Sequence, residues 1–235
     1  MPGPAYDLAL ANRILAREGV VDAYGHVSLR HPGQESRFLL SCSRSPELVT
    51  PQDIMEFDLA GEPADRADER QTYLERFIHS AVYESRGDVM AVVHSHSPAV
   101  LPFSITDAPL RPAIHTAGLI GARIPVWDIR TKFGDTDMLV RNMEQGRDMA
   151  RNLGACSVIL MRGHGCTVAA ADLKEAVIAA IYLQLNAAVQ LAACQLGKLR
   201  YLSDSETKLT AETNRLPAVK ARMWDYYVKR ADAGF

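Results

Sequence analysis

Two histidines, His94 and His96, stand two residues apart at the end of a short apolar stretch, residues 89–93. That stretch is rich in β-branched residues and follows a polar turn, which predicts a buried strand. Side chains alternate between the two faces of a strand, so both imidazoles project on the same side. Two imidazoles in this arrangement can bind one divalent metal ion, although a polar pair where a strand meets solvent explains the spacing equally well.

A third histidine, His164, lies between Gly163 and Gly165, directly after a second apolar stretch at residues 157–161. Glycines at a strand end let the backbone turn sharply and approach a ligand closely. A single histidine in such a turn is more often structural than a metal ligand. Three neutral imidazoles with one open position form a catalytic metal site, but spacing alone does not bring His164 to the other two.

Helical and strand patterns alternate along the chain. The pattern predicts helices at 7–18, 72–85, from 135–137 to 154, 172–196, 205–215 and 219–229, and strands at 26–30, 37–42, 54–59, 89–93, 123–127 and 157–161. Short strands interleaved with helices are typical of an α/β sandwich. No repeat, low-complexity segment or linker divides the sequence, so we expect residues 1–235 to form a single domain.

The composition is that of a globular protein, with 48% hydrophobic and 23% charged residues. A formal net charge of −2, with scattered basic residues, gives no electrostatic reason to expect binding to nucleic acid or to an anionic membrane. The most apolar long segment, residues 176–194, is interrupted by Gln184, Asn186 and Gln190, so we expect no membrane span. The start lacks a signal-peptide pattern and the four cysteines show no CxxC spacing, which favours a reducing cytoplasm.

Several motifs occur in a fixed order: G-H-V-S-L-R at 25–30, a glutamate at Glu75, V-V-H-S-H at 92–96, L-M-R-G-H-G at 160–165 and Y-L-S-D at 201–204. In this order they resemble the class II aldolase/adducin family over nearly the whole chain. The resemblance implies a three-layer α/β/α sandwich and a divalent metal bound by His94, His96 and His164. It also implies active sites near subunit boundaries, usually in a homotetramer.

The family glutamate corresponds to Glu75, and the resemblance implies a role in general acid/base catalysis, with metal contact in the empty state. Without the resemblance, Glu75 would be interpreted as a solvated carboxylate on a helix face. His115 is expected to bind substrate or transfer a proton. His79, one helical turn after Glu75, is expected to support the site from behind the residues that touch the substrate.

Other positions depart from the sugar-phosphate aldolases of the family. Where those enzymes have G-N-x-S, a Ser/Thr-Gly phosphate loop, Ser-Ser before the glutamate and His-Tyr, this chain has Gly25-His26-Val27-Ser28, Ser43-Arg44-Ser45-Pro46, Tyr73-Leu74 and His115-Thr116. Larger side chains thus replace groups that would bind a phosphate. We expect His26, Ser28, Arg44 and Tyr73 to bind a flat anionic substrate instead, because arginine pairs with carboxylates and tyrosine offers a ring face. His26, Arg44 and Tyr73 could also be ordinary surface residues.

The sequences Y-G-H-V-S, Y-L-E-R-F-I-H and L-M-R-G-H-G look most like the decarboxylase branch of the family. That branch removes a ring carboxylate ortho to a hydroxyl from hydroxylated aromatic or pyridine dicarboxylates. The resemblance therefore implies a carboxy-lyase with one divalent metal per chain, Mn²⁺ being favoured over Zn²⁺ or Co²⁺. Two alternatives remain: a sugar-phosphate aldolase or epimerase, and a non-catalytic adducin-like binding module.

Overall fold

A seven-stranded sheet forms the centre of the structure, a computed structural model that describes residues 3–231. The strands are β1 (His26–Arg30), β2 (Arg37–Ser41), β3 (Ile54–Asp58), β4 (Ala91–Ser95), β5 (Val126–Trp127), β6 (Val158–Met161) and β7 (Gly165–Ala170). The α-helices are α1 (Pro4–Arg17), α2 (Arg76–Ser85), α3 (Leu101–Ser104), α4 (Arg130–Phe133), α5 (Met143–Leu153), α6 (Leu173–Ala193), α7 (Asp204–Arg215) and α8 (Pro217–Ala231). Short 3₁₀ turns occupy Pro46–Leu48, Pro51–Asp53 and His115–Ile120.

The strand order is β3-β2-β1-β4-β7-β6-β5, and all neighbours are antiparallel except β5 and β6. In the register between β1 and β4, His26 lies opposite His94. On the other side of β4, Ser95 lies opposite Cys166 of β7. The central strands therefore bring the first histidine motif, His26 and the turn that carries His164 to the same end of the sheet.

Apolar side chains form one core on each face of the sheet. Neighbouring residues of β4 divide between them: Val93 belongs to the core beneath α1 and α6, and Val92 to the core beneath α2 and α5. Because side chains alternate, His94 shares the α2 face with Val92. The structure confirms the predicted α/β class and shows helices on both faces of a mixed sheet.

The helix α6 is long and apolar enough by length and composition to cross a membrane, so its polar interruptions alone do not exclude a span. Of its most apolar stretch, 56% is buried inside the protein, as in core helices of soluble proteins. The interrupting polar residues have partners there: Asn186 bonds the backbone of Arg111 and Ala113, and Gln190 donates to the carbonyl of Pro109. They hold the segment before the His115–Ile120 turn against the helix.

The observed elements differ from the predicted ones at several places. Helices α3 and α4 were not predicted, and β4 spans Ala91–Ser95 rather than 89–93. Strand β7 was not predicted, because its small residues lack an alternating pattern. Helix α2 begins at Arg76 rather than at residue 72. Helix α5 begins at Met143 rather than at 135–137, because the side chain of Asn142 caps the helix there by accepting a hydrogen bond from the Gln145 N–H. The strand predicted at 123–127 is reduced to β5.

Candidate metal centre

Four side chains present metal-binding atoms to one point. One ligand atom each from Glu75, His94, His96 and His164 lies within 4.8 Å of the others. The Nε2 atoms of His94 and His96 are 3.0 Å apart, and Oε2 of Glu75 is 3.3 Å from Nε2 of His164 and 3.6 Å from Nε2 of His94. A tetrahedral ion with bonds of about 2.1 Å separates its ligand atoms by about 3.4 Å, so these spacings fit one ion.

Each of these side chains is fixed by its position in the fold. Strand β4 holds His94 on the α2 face, and His96 follows one residue after the strand ends. The tight turn between β6 and β7 carries His164, with Gly163 at a φ of +63°. A Cβ at Gly165 would overlap the carbonyl oxygen of Ser95, so only glycine lets β7 approach β4 this closely.

The local electrostatics suit a metal better than protonated imidazoles. Burial, with the neighbouring imidazoles second, holds the pKa of His94 well below its usual range, and burial also lowers the pKa of His96. Both ring nitrogens of His164 are buried and have no hydrogen-bond partner among residues 3–231, which is unusual for a polar side chain. Glu75, almost fully buried, accepts a hydrogen bond at Oε1 from the Val140 N–H at 3.0 Å. This leaves its Oε2 directed at the histidines.

A second polar group lies behind the metal-binding cluster. Nδ1 of His26 is 2.6 Å from Nε2 of His79, and Nδ1 of His79 is 2.6 Å from Oγ of Ser28. The Ser28 hydroxyl is in turn 2.7 Å from that of Tyr83. Burial lowers the pKa of His79 to about 3 and holds that of His26 well below its usual range, so both rings are neutral. His79 thus lies behind His26, and its supporting role at the site stays a prediction.

Ser28 does not occupy the position that was predicted for it. Its side chain is completely buried on β1 and is engaged with His79 and Tyr83, so it does not line the pocket. The prediction that Ser28 contacts substrate is corrected accordingly. The reason is geometric: His26 and Ser28 share a face of β1, but Ser28 lies two residues further along the strand, away from the cavity.

A cavity of about 540 Å³ opens in front of the metal-binding cluster. Its lining includes most of the residues predicted for the site: His26, Arg44, Tyr73, Glu75, His96 and His164. The Tyr73 ring lies 4.6 Å from the ring of His26, centroid to centroid. Its hydroxyl is 3.1 Å from Oγ of Ser41 and donates to the carbonyl of Arg44, so it anchors the loop that carries this arginine.

Arg44 lies at the exposed rim of this cavity. Its Nε donates to the carbonyl of Leu48 at 2.8 Å, and its Nη1 is 3.5 Å from a carboxylate oxygen of Asp53. These contacts hold the guanidinium at the rim and leave Nη2 without a protein partner among residues 3–231. Arg44 can therefore offer an N–H donor to an anion in the cavity.

The sequence of this chain matches a known family over most of its length. Residues 6–191 match the model of the Class II Aldolase and Adducin N-terminal domain. The chain belongs to the class II aldolase/adducin family. This confirms the family that the histidine motifs indicated.

Two curated relatives of this family member are decarboxylases by name. Decarboxylase tropJ of Talaromyces stipitatus is 32% identical, over 94% of this chain and 91% of its own length. The 3,4-dihydroxyphthalate decarboxylase of Arthrobacter keyseri is 32% identical, over 85% of this chain and 82% of its own length. A decarboxylase is a carboxy-lyase, and aldolases are also carbon–carbon lyases, so the chain is a lyase.

The fold is that of the class II aldolases. The L-fuculose 1-phosphate aldolase of Glaciozyma antarctica aligns with a TM-score of 0.77 at 22% identity, over 97% of this chain and 88% of that structure. At this identity the likeness concerns the fold alone.

The structure does not bring His115 to the metal-binding cluster of the same chain. His115 is exposed at the start of its 3₁₀ turn and lines a separate pocket with Tyr182 and Arg222. Proton transfer by His115 within one chain therefore has no geometric support. A contribution of His115 to the site of a neighbouring chain stays a prediction.

Two contacts at the site were not anticipated from the sequence. Tyr24, 69% exposed, lines the cavity with its ring centroid 6.3 Å from that of His96. An aromatic residue directly before the G-H-V-S motif was a usable signal for it. Val140 supplies the N–H that holds Glu75, and a backbone donor of this kind leaves no signal in residue types.

Proposed function

We propose that this chain is a metal-dependent decarboxylase that removes a ring carboxylate ortho to a hydroxyl from a hydroxylated aromatic or pyridine dicarboxylate. The observation that carries the proposal is the cluster of three histidines and Glu75 at one cavity. Glu75, His96 and His164 lie on the cavity floor, with His94 buried beside them, and the wall contains His26, Arg44 and Tyr73. The floor can hold a metal, and the wall offers N–H donors and a ring face. The names of the two decarboxylase relatives support the same reaction class.

One divalent metal per chain would be held by His94, His96 and His164, with Glu75 within reach. The buried nitrogens of His164, which have no hydrogen-bond partner among residues 3–231, and the neutral state of His94 fit this assignment. The family resemblance favours Mn²⁺, while three imidazoles also suit Zn²⁺ or Co²⁺. When bound, such an ion supplies Lewis-acid stabilisation of negative charge on the substrate's hydroxyl oxygen.

Glu75 is the proposed proton donor. Its Oε1 is fixed by the Val140 N–H, so its Oε2 stays at the floor of the cavity. With the ortho hydroxyl of the substrate ionised, a protonated Glu75 would give its proton to the ring carbon that bears the leaving carboxylate, forming a dienone-like ring in which that oxygen is the carbonyl. The bond to the carboxylate then breaks, CO₂ leaves, and the electron pair of that bond restores aromaticity. Water reprotonates Glu75 after product release.

The second carboxylate of the substrate would be held at the cavity wall. His26 and Arg44 provide N–H donors there, and the Tyr73 ring provides a flat surface for the substrate ring. Ser43-Arg44-Ser45-Pro46 stands where a sugar-phosphate aldolase has its phosphate loop, which disfavours a phosphorylated sugar. A binding module without catalysis would have no use for four metal-binding atoms this close together.

The assembly is part of the proposal. We propose a homotetramer of single-domain chains in the cytoplasm, with each cavity completed at a subunit boundary. Tyr24 and Leu74, both apolar and more than half exposed, lie at the cavity mouth and would be covered by a neighbour. Light scattering that shows a fully active monomer would refute shared sites.

The deciding experiment is CO₂ release from 3,4-dihydroxyphthalate and 3-hydroxyphthalate by chelator-treated protein, with and without added Mn²⁺, Zn²⁺ or Co²⁺. We expect metal-dependent CO₂ release from both acids and none from phthalate, which lacks the hydroxyl. L-fuculose 1-phosphate serves as the competing substrate. Cleavage of this phosphate, with no CO₂ from any hydroxylated acid, would overturn the decarboxylase assignment.

A further inference from the structure

A line of buried polar side chains leads from the cavity wall into the interior between β1 and α2. It runs from His26 through His79 and Ser28 to the hydroxyl of Tyr83, with separations of 2.6, 2.6 and 2.7 Å. Each of these side chains is at most 4% exposed. Only the first reaches the cavity, so the other three would serve a ligand through His26.

The direction of the hydrogen bonds along this line is set at its inner end. A neutral imidazole has one N–H donor and one acceptor nitrogen, so a single direction must run through both rings. The hydroxyl of Tyr83 is buried, and its one side-chain hydrogen-bond partner among residues 3–231 is Oγ of Ser28. Because a buried donor needs an acceptor, Tyr83 donates its hydrogen to Ser28.

The remaining links follow from this first one. Ser28 donates to Nδ1 of His79, so His79 carries its hydrogen on Nε2 and donates it to Nδ1 of His26. His26 must then carry its hydrogen on Nε2. In the opposite direction, the Tyr83 oxygen would accept from Ser28, and the Tyr83 hydrogen would have no side-chain acceptor among residues 3–231. A buried donor without an acceptor is unfavourable, which selects the first direction.

We infer that Tyr83, Ser28 and His79 are positioning residues that fix His26 as a neutral imidazole with its N–H on Nε2. No protein partner of this Nε2 is recorded in the described chain, and His26 lines the cavity. His26 therefore presents one N–H donor of fixed direction to an anionic oxygen. If the proposed function holds, that oxygen belongs to the second carboxylate of the aromatic substrate, the one that is retained.

The tautomer can be measured without turnover. Long-range ¹H–¹⁵N correlation spectra of histidine-labelled protein, loaded with diamagnetic Zn²⁺, distinguish a protonated from an unprotonated nitrogen in each of the seven rings. We expect His26 and His79 both to carry hydrogen on Nε2. In Ser28→Ala, the two directions become comparable and both rings should show mixed tautomers. Tyr83→Phe should give the same change if Ser28→Ala fails to fold.

Ser80→Ala is the matched control. Ser80 is a buried serine on α2, the helix that carries His79 and Tyr83. Its hydroxyl donates to the carbonyl of Arg76 and does not contact the line of polar side chains. Its removal should leave both tautomers unchanged. Hydrogen on Nδ1 of His26 in the unmodified protein would overturn the inference, and so would an unchanged tautomer in Ser28→Ala or Tyr83→Phe.

The ligand is tested separately, by equilibrium binding of 3-hydroxyphthalate and of salicylate, which lacks the second carboxylate. His26→Phe keeps a flat ring without the donor, and should weaken 3-hydroxyphthalate binding by about 10- to 100-fold, as expected for a hydrogen bond to a charged group. Salicylate binding should stay within about twofold of the unmodified protein, and His26→Gln, which keeps an N–H donor, should recover part of the lost affinity.

The two arms separate the possible failures. The expected tautomer combined with equal losses for both ligands would refute the second carboxylate as the partner of His26. In that case the measurement of CO₂ release still decides whether the protein is a decarboxylase. CO₂ release from hydroxylated acids by a protein with the opposite tautomer would refute the positioning role and leave the proposed function intact.

Discussion

Gly165 should be the most sensitive glycine for metal binding, because it lies where β7 passes the first histidine motif. In Gly165→Ala, the new Cβ would lie 2.9 Å from Cδ2 of His96 and would overlap the carbonyl oxygen of Ser95. Carbon atoms in contact prefer separations of about 3.5–4.0 Å, so the His96 ring or the turn with His164 must move by at least about 0.6 Å. Metal–ligand bonds tolerate only about 0.2 Å.

We therefore expect Gly165→Ala to lose metal affinity by about 100-fold or more, at the upper end of what disturbed metal ligands cost. Forcing an extra carbon into this contact should also lower the free energy of unfolding by about 1–3 kcal/mol. Metal content by elemental analysis, metal affinity by calorimetry and urea unfolding of the metal-free protein measure the two effects separately.

Gly87→Ala is the matched control, since a Cβ there would meet no atom within 4 Å. It should leave the unfolding free energy within about 0.5 kcal/mol and metal affinity unchanged. If Gly165→Ala binds one metal per chain with an affinity within about threefold of the unmodified protein, the proposed metal geometry is wrong.

Three further changes test other parts of the site. Glu75→Gln keeps the acceptor for Val140 but removes the charge, so kcat for CO₂ release should fall about 100- to 10,000-fold with metal retained; loss of metal in elemental analysis would make Glu75 a ligand. Tyr73→Phe keeps the ring but releases the Arg44 loop, so KM should rise severalfold with kcat nearly unchanged in steady-state kinetics; an unchanged KM contradicts this. The pKa of His79 is about 3 in the folded state and 6.5 in the unfolded state. Between these pH values the unfolded state binds more protons, so the free energy of unfolding falls as the pH falls through this window. At pH 5 the free energy of unfolding is lower by about 2 kcal/mol than at pH 7. In urea unfolding, the free energy of His79→Gln should therefore depend less steeply on pH than that of the unmodified protein. An equal dependence on pH in both proteins would contradict the low pKa of His79.

The sequence predicted the parts of the site that depend on one element. The same-side projection of His94 and His96 follows from strand alternation, and the structure places their Nε2 atoms 3.0 Å apart. The approach of His164 could not be derived this way, because it depends on β7 returning beside β4. The residues of β7, beginning Gly165-Cys166-Thr167, are too small and too irregular in polarity to show a strand pattern. Only the family resemblance brought the three histidines together.

Helix starts were predicted less well than helix ends. Both α2 and α5 begin several residues later than their apolar patterns suggest. Before α5, the hydroxyl of Thr136 and the carboxylate of Asp137 accept hydrogen bonds from backbone N–H groups two residues ahead. This irregular segment also directs the Val140 N–H at Glu75, so the late start of α5 is part of the site.

The line behind His26 results from a match between two periodicities. His26 and Ser28 are two residues apart on β1, a separation of about 6.7 Å along a strand. His79 and Tyr83 are four residues apart on α2, about 6.0 Å along a helix. Because these steps nearly agree, a strand and a helix that lie side by side can bring two pairs of polar groups into hydrogen-bond distance at once. The sequence contains both spacings, but it does not show that β1 and α2 are adjacent, and for that reason Ser28 was assigned to the substrate rather than to His79.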